Sequence, residues 1–181
     1  MIIQDQYLSF SKYNSWMNRK IFEVSSNLAD EERKKDVNAF FRSIHGTLNH
    51  ILLTDRRWMS RFTKDDEQFK SFDENGNQIV IQSLNQELFE DFEKLKSERV
   101  HTDLQIENWI ESLESKDLDQ LMIYDNSFGK QQKPLWWAIS HFFNHQTHHR
   151  GQITTILKQL GKDPGITDFV IFMREHKNGS L

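Results

Sequence analysis

Four of the eight histidines in this chain lie within residues 141–149, an unusual density for one short stretch. In an α-helix, residues four apart lie nearly above one another, so His141, His145 and His149 would form a ladder along one side. Two imidazoles at positions i and i+4 can bind one metal ion, because their ring nitrogens converge from successive turns. The alternative is a row of polar side chains on a hydrated face. The number of histidines, flanked by apolar residues at helical spacing, favours a metal site.

The helical phase of this segment selects a pair of histidines from the ladder. Its apolar residues define the side that faces the core, namely Leu135, Ala138, Phe142, Ile153, Ile156 and Leu160. His149 falls within this arc and His145 falls at its edge. His148 lies well outside the arc and is expected to face solvent or a neighbour. His141 is farther from the arc than His145 and is a candidate for supporting a metal ligand rather than being one.

A third ligand has to come from another helix. Three successive rungs of one helix span about 12 Å at 1.5 Å per residue. That span is too long for a single ion with bonds of about 2.1 Å to nitrogen, which argues against His141. His45 and His50 lie on a second helix-forming segment, but His50 is more than about 100° from the centre of the apolar face of that segment. Periodicity alone therefore predicts that His50 is exposed or lines a polar cleft.

Composition limits the class of protein. A length of 181 residues suits one domain spanning 1–181, with a core large enough to need no covalent staples. The absence of cysteine excludes disulfides, cysteine-based zinc sites and a protein thiol nucleophile. A net charge of −4 without a basic block argues against nucleic acid and anionic membranes as partners. No apolar run approaches the roughly 20 residues of a membrane span, and the first residues lack a signal-peptide pattern, so we expect a cytoplasmic protein.

Apolar spacing and scarce helix breakers predict long helices, since the chain has only seven glycines and two prolines. The predicted elements are a helix from Asp5 to Asn27, a charged connection from Ala29 to Asn38, a helix from Ala39 to Thr63, an exposed loop from Lys64 to Ile81 with a turn at 75–77, a helix from Leu84 to Leu113 interrupted around 100–103, a β-hairpin within 118–134, a helix from Pro134 to Leu160 and a short helix from Asp168 to His176. Together they predict an all-α fold in the main, a four-helix bundle with a minor hairpin.

Other side chains carry expectations of their own. Asn14 and Asn18 flank the apolar stripe of the first helix and are expected to be exposed amides, with hydrogen bonding near a site as the alternative. Asp55 stands among apolar neighbours, where a carboxylate is expected to pair with an arginine or a helix cap. Trp136 and Phe143 point away from the histidine ladder, so they are expected to pack on the hairpin or to form a dimer interface.

Three motifs resemble the DinB/YfiT-like family of metalloenzymes. They are Asn144-His145-Gln146-Thr147-His148-His149-Arg150-Gly151-Gln152, then Leu48-Asn49-His50-Ile51 with Asp55 and Trp58, and Tyr13-Asn14-Ser15-Trp16-Met17-Asn18. The likeness covers nearly the whole chain and is most specific at the first motif. It implies a four-helix bundle in which His50, His145 and His149 hold a divalent metal ion. For His50, this implication overrides the exposed position that periodicity predicts.

The resemblance also implies an activity. Relatives in this family include transferases and isomerases that act with low-molecular-weight thiols, so we expect a metal-dependent transferase, isomerase or hydrolase with a small-molecule substrate, and a homodimer. The alternative is a non-catalytic, stress-linked metal-binding protein. Three imidazoles suit zinc, nickel, iron or copper. No residue is singled out as catalytic. Gln152 is placed to orient bound water, and Asp55 is the only carboxylate worth testing.

Overall fold

The computed structural model describes residues 3–64, 67–72, 76–126 and 129–176, without the side chain of Asn126. Its elements in chain order are α1 (Ile3–Ser26), α2 (Asp30–Lys34), α3 (Ile44–Phe62), a single 3-10 turn (Glu67–Phe69), α4 (Phe92–Ser112), α5 (Ser115–Leu118), β1 (Leu121–Asn126), β2 (Gly129–Pro134), α6 (Leu135–Gln159) and α7 (Phe169–Glu175).

The four long helices form a bundle. Helix α1 packs against α4 and α6, and α3 packs against the same two helices, so α1 and α3 occupy opposite corners. Buried apolar side chains fill the space between them, with Ile21, Leu52 and Leu95 towards one end and Met59 and Ile106 towards the other. The predicted fold class, mainly helical with a small hairpin, is confirmed. None of the helices in the described part of the chain is both long enough and apolar enough to cross a membrane.

The hairpin leads directly into the helix that carries the histidines. Strands β1 and β2 are antiparallel, paired from Leu121 opposite Pro134 to Asn126 opposite Gly129. Pro134 is the residue just before α6 rather than a member of its first turn. The helix ends at Gln159, and Gly161 follows with a positive φ of 73°, as expected of a glycine that stops a helix.

Helix α3 begins at Ile44, later than predicted, because a tight turn precedes it. The Ser43 hydroxyl accepts a hydrogen bond from the Gly46 amide at 2.9 Å and caps the helix. Arg42 has a positive φ of 66°, and the turn lays the Phe41 carbonyl against the first turn of α3. A Cβ at position 46 would lie 2.3 Å from that carbonyl oxygen, so only glycine allows the approach. This turn brings the Phe41 ring over α3.

Residues 84–89 were predicted to begin the third helix, and this prediction is wrong. Their backbone is bonded to α3 instead of to its own next turn. The Asn49 side-chain oxygen accepts from the amides of Leu88 and Phe89 at 2.8 and 3.0 Å. The Asn49 amide group and the His45 ring bond the Phe89 carbonyl oxygen at 3.1 and 3.0 Å. The segment therefore covers the polar side of α3 without forming a helix.

Helix α4 begins only at Phe92. The Asp91 carboxylate accepts from the Lys94 amide at 2.6 Å and caps it. The helix then runs unbroken to Ser112, so the predicted interruption around 100–103 is also wrong. The stretch predicted as an exposed loop contains a buried anchor, since Phe69 is only 2% exposed. Asn75, in the predicted turn of that loop, lies outside the described residues.

Candidate metal centre

Three histidines converge between α3 and α6. His50 lies on α3, and His145 and His149 lie one turn apart on α6. The Nε2 atom of His145 is 3.3 Å from Nε2 of His50 and 3.1 Å from Nε2 of His149. Among the described residues, no cysteine, carboxylate or further histidine joins this group of three. The structure thus brings together the three predicted ligands.

Hydrogen bonds on the far side of two rings determine which nitrogens face the centre. The Nδ1 atom of His50 donates to the Leu84 carbonyl oxygen at 2.7 Å. The Nδ1 atom of His149 donates to the side-chain oxygen of Gln152 at 2.8 Å. A neutral imidazole carries only one proton, so both Nε2 atoms present lone pairs to the centre. Gln152, a candidate for orienting bound water, accepts a hydrogen bond from the His149 ring, and its role towards water stays a prediction.

This arrangement fits a divalent cation. The Nε2 atom of His145 faces two lone pairs, and its single proton can satisfy only one of them. A cation placed among the three nitrogens satisfies all three. Nitrogens bound tetrahedrally at about 2.1 Å lie roughly 3.4 Å apart, close to the two nitrogen–nitrogen distances observed. The donor set therefore suits a metal ion, and which ion binds stays open.

Burial keeps the three imidazoles neutral. Loss of solvation lowers the pKa of His50 to about 4, although the Leu84 carbonyl opposes the shift. Loss of solvation and then the neighbouring His149 and His50 rings lower the pKa of His145 to about 3. Burial also lowers the pKa of His149. Neutral imidazole is the form that binds metal, so protons compete weakly for these nitrogens near neutral pH.

Periodicity alone predicted that His50 is exposed or lines a polar cleft, but the residue is only 3% exposed, which agrees with the position that the resemblance implies. Residues 84–89 cover the polar side of α3. The Phe41 ring stacks on the His50 ring with centroids 3.6 Å apart and meets the His149 ring edge-on at 5.4 Å. Phe41 therefore shields one side of the centre from water. Nothing in the local sequence around Phe41 indicated this contact.

The remaining nearby histidines have other surroundings. His148 is exposed, as predicted from the phase of α6, and accepts from the Gln152 amide at 3.3 Å. His141 is exposed and lies between the rings of Trp58 and Trp137, with centroids 5.2 and 6.0 Å away. His45, fully buried, is bonded to the Phe89 carbonyl and supports the cover of α3.

A buried charged cluster lies elsewhere in the bundle core. Arg99 contacts Asp55 at 2.5 Å and Asp103 at 2.8 Å. Asn14 and Asn18 both donate to Asp103, at 3.1 and 3.0 Å. Burial raises the pKa of both carboxyls, and the Arg99 charge opposes that rise. Asp55 is thus paired with an arginine as expected, whereas the expected exposure of the two asparagines is wrong.

Phe143 does not face the hairpin or a free surface. It is 5% exposed, and its ring packs near Tyr7 and Phe10 of α1 with centroids 6.4 and 6.0 Å away. Trp136 keeps 38% of its surface exposed. The expected outward position is therefore wrong for Phe143, and homodimerisation stays a prediction that Trp136 and the family resemblance support.

A groove of about 340 Å³ lies next to His50, although none of the three histidines is among its lining residues. Thr54, one turn after His50, lies on one wall, and Leu84, whose carbonyl holds the His50 ring, lies on another. Arg57 and Arg61 add positive charge to the groove, and Trp58 adds an aromatic face. A small molecule with negative charge would fit this lining.

Comparisons with known proteins agree with this fold. The chain is 28% identical over 167 residues to Protein DinB of Bacillus subtilis (strain 168), and the aligned region covers 90% of each sequence. The crystal structure of a DinB-like protein from Bacillus cereus ATCC 10987, at 2.01 Å resolution, superposes on this chain with a TM-score of 0.63. The two chains are 19% identical, and the match covers 90% of this chain and 96% of the other. At this identity the similarity shows the fold alone. The sequence model of the DinB family matches residues 3–179, and the chain therefore belongs to the DinB family.

Proposed function

We propose that this protein is a divalent-metal-dependent enzyme in which His50, His145 and His149 hold the ion. The observation that carries the proposal is the convergence of three Nε2 atoms, two of them 3.1 and 3.3 Å from that of His145. The Nδ1 protons of His50 and His149 are held by oxygen acceptors on the far side. Such outer hydrogen bonds are typical of metal-binding histidines.

The number of protein ligands favours catalysis over a purely structural ion. Structural zinc sites are usually closed by four protein ligands, whereas catalytic sites keep three and leave a position for water or substrate. The group found among the described residues has three members, all of them neutral. When bound, a divalent ion would act as a Lewis acid and lower the pKa of a bound water or thiol towards neutrality.

The chain's own residues prepare this centre. The Leu84 carbonyl and the Gln152 side chain orient two imidazole rings, and the Phe41 ring limits the access of water. Burial disfavours protonation of His50 and His145 at neutral pH. None of these residues is assigned as a general base, so a substrate that becomes nucleophilic on metal binding suits the centre best.

The reaction class we propose is transfer or isomerisation with a low-molecular-weight thiol as cosubstrate. The chain has no cysteine, so a thiol nucleophile must come from solution. The groove beside the site carries Arg57 and Arg61, which suits a cosubstrate with carboxylate groups. A cytoplasmic location fits this chemistry, because low-molecular-weight thiols are kept reduced there.

The test combines metal analysis with a thiol assay. The purified protein is first assayed for metal content, then loaded separately with zinc, nickel and ferrous iron. Each form is incubated with a panel of low-molecular-weight thiols and an alkylating substrate, and thiol loss is followed. We expect metal-dependent loss of thiol that His50→Ala abolishes and the exposed-histidine control His148→Ala retains. Stoichiometric metal binding without thiol consumption by any form would instead establish a non-catalytic metal-binding protein.

A further inference from the structure

A second cavity lies on the other side of α6, away from the three histidines. It has a volume of about 350 Å³ and opens between α1 and α6. Five aromatic side chains contribute to its wall, namely Tyr7, Phe10, Tyr13, Phe143 and Phe169. Phe169 belongs to α7 and packs against the rings of Tyr13 and Phe10 with centroids 5.1 and 5.3 Å away. The short C-terminal helix thus covers one side of the cavity.

A single cation, Arg150, lines this cavity. Its side chain is only 3% exposed. Its printed hydrogen bonds go to neutral acceptors, the Asn14 side-chain oxygen and the Thr147 hydroxyl, the latter at 3.2 Å. The guanidinium carbon lies 5.7 Å from the centre of the Tyr13 ring. These contacts hold the group in position, and none of them is made by a carboxylate.

No ion pair in the described part of the chain includes Arg150. The buried carboxylates of Asp55 and Asp103 attract Arg150 without a direct contact, whereas Arg99 binds both of them directly. A buried charge without a directly bound counter-charge is costly unless something else pairs with it. The cavity is the place from which a counter-charge can reach Arg150.

We propose that this cavity binds a small monocarboxylate with an apolar body. The carboxylate would pair with the planar fork of Arg150, the geometry that guanidinium groups favour. The body of the ligand would pack among the aromatic rings, and the volume lies within the range of small-molecule sites. A neutral apolar ligand would leave Arg150 unpaired, and a small inorganic anion would leave the aromatic wall uncovered.

This site is distinct from the metal centre. His149 and Arg150 are adjacent on α6 and therefore point about 100° apart. His149 faces α3 and its partner His50, whereas Arg150 faces α1 and its partner Asn14. The monocarboxylate site would therefore be a second ligand site, and its test does not depend on the metal-dependent activity.

The test uses benzoate as the probe and the full-length protein labelled with ¹⁵N. We expect saturable shifts of amide signals along residues 140–150 of α6 and in the facing part of α1. Benzamide, which keeps the ring but lacks the charge, should bind at least about tenfold more weakly, because a hydrogen-bonded charge pair is lost. Acetate, which keeps the charge but lacks the ring, should also bind more weakly.

Two substitutions place the binding in the cavity. Asn144, exposed on α6 and part of the cavity lining, can be replaced by the bulkier side chain in Asn144→Trp. We expect Asn144→Trp to abolish the benzoate shifts, whereas the control Asn108→Trp on the exposed side of α4 keeps them. Arg150→Gln should also abolish them.

Since Arg150 is buried, the Asn144→Trp and benzamide comparisons decide the matter even if Arg150→Gln does not fold. Absence of saturable shifts at about 20 mM benzoate, equal binding of benzamide, or wild-type binding by Asn144→Trp would each overturn the proposal.

Discussion

The position of one proton on each imidazole determines what the three histidines can do. With Nδ1 of His50 and His149 donating to Leu84 and Gln152, the opposite nitrogens can only accept. Three neutral nitrogens at this spacing repel one another unless a proton or a cation lies between them. The low pKa of His50 and His145 disfavours an additional proton, and the single proton of neutral His145 can bridge to only one of its two neighbours, so the group is suited to hold a metal ion.

The ligand assignment predicts the effect of single substitutions on metal content. We expect His50→Ala, His145→Ala and His149→Ala each to weaken metal binding by more than about 100-fold, since even residues that only support a ligand cost about 10–100-fold. His148→Ala should bind as the wild type does, because His148 is exposed and turned away. Metal content at neutral pH, measured after dialysis, checks this. Loss of metal by His148→Ala together with retention by His149→Ala would mean that the phase of α6 is wrong.

The lowered pKa values predict how metal affinity depends on pH. Three histidines with an ordinary pKa near 6.5 would be mostly protonated at pH 5.5, which would weaken binding by about 1,000-fold. Here the pKa is about 4 for His50 and about 3 for His145. Affinity should therefore stay within about tenfold between pH 7.5 and pH 5.5, and fall only as the pH approaches these lower values. Calorimetric titration at the two pH values measures this, and a loss near 1,000-fold would contradict the neutral-histidine arrangement.

The three histidines could not all be predicted equally well from the sequence. The i, i+4 spacing and the apolar phase of α6 were enough to select His145 and His149. The same method placed His50 on an exposed side of α3, because a helical wheel registers only the neighbours along one helix. The groups that bury His50 come from a preceding turn, at Phe41, and from a segment more than 30 residues away, at Leu84. Only the resemblance to a family pointed to His50.

At the scale of elements, long-range polar contacts explain why the spacing of apolar residues predicted the wrong start for the third long helix. Residues 84–89 have apolar residues at helical intervals, yet Asn49 bonds the amides of Leu88 and Phe89. A backbone bonded in this way has its donors satisfied without a helix, and no pattern within 84–89 reveals the partner. The four long helices were predicted because the apolar residues that pack in the core recur at helical spacing within each segment. The Asp91 cap of α4 was a signal present in the sequence.

The buried cluster that links α1, α3 and α4 leads to a prediction about stability. Arg99→Met would leave Asp55 and Asp103 buried without a directly bound counter-charge, and we expect a loss of about 3–5 kcal/mol in the free energy of unfolding. Lys96→Met on the same helix removes a surface contact of 3.9 Å to Glu93 and should cost less than about 1 kcal/mol. Urea denaturation of the three proteins compares them. Equal stability of Arg99→Met and Lys96→Met would show that the cluster contributes nothing.

At the scale of the whole molecule, association into a homodimer stays a prediction. Its remaining support is the family resemblance and Trp136, which lies near the start of α6 and is 38% exposed. We expect sedimentation at tens of micromolar, a concentration suited to a micromolar interface, to give twice the mass of the chain. Trp136→Ser should weaken association, and Leu104→Ser, which alters an exposed apolar residue of α4, should not. A monomer at that concentration counts against the dimer.

Metal binding should also stabilise the entire bundle, because the ligands come from two helices that are far apart in the chain. An ion that binds only the folded state adds about 2.7 kcal/mol at 100 times its dissociation constant. For a chain of this length that corresponds to a rise of roughly 5–10 °C in Tm. The rise should be lost on chelation, absent in His145→Ala and intact in His148→Ala. Thermal unfolding followed by circular dichroism, with and without metal, gives the comparison. Identical Tm values for the two forms of the wild type would mean that His50 on α3 and His145 on α6 do not share an ion, whatever the metal content of the protein.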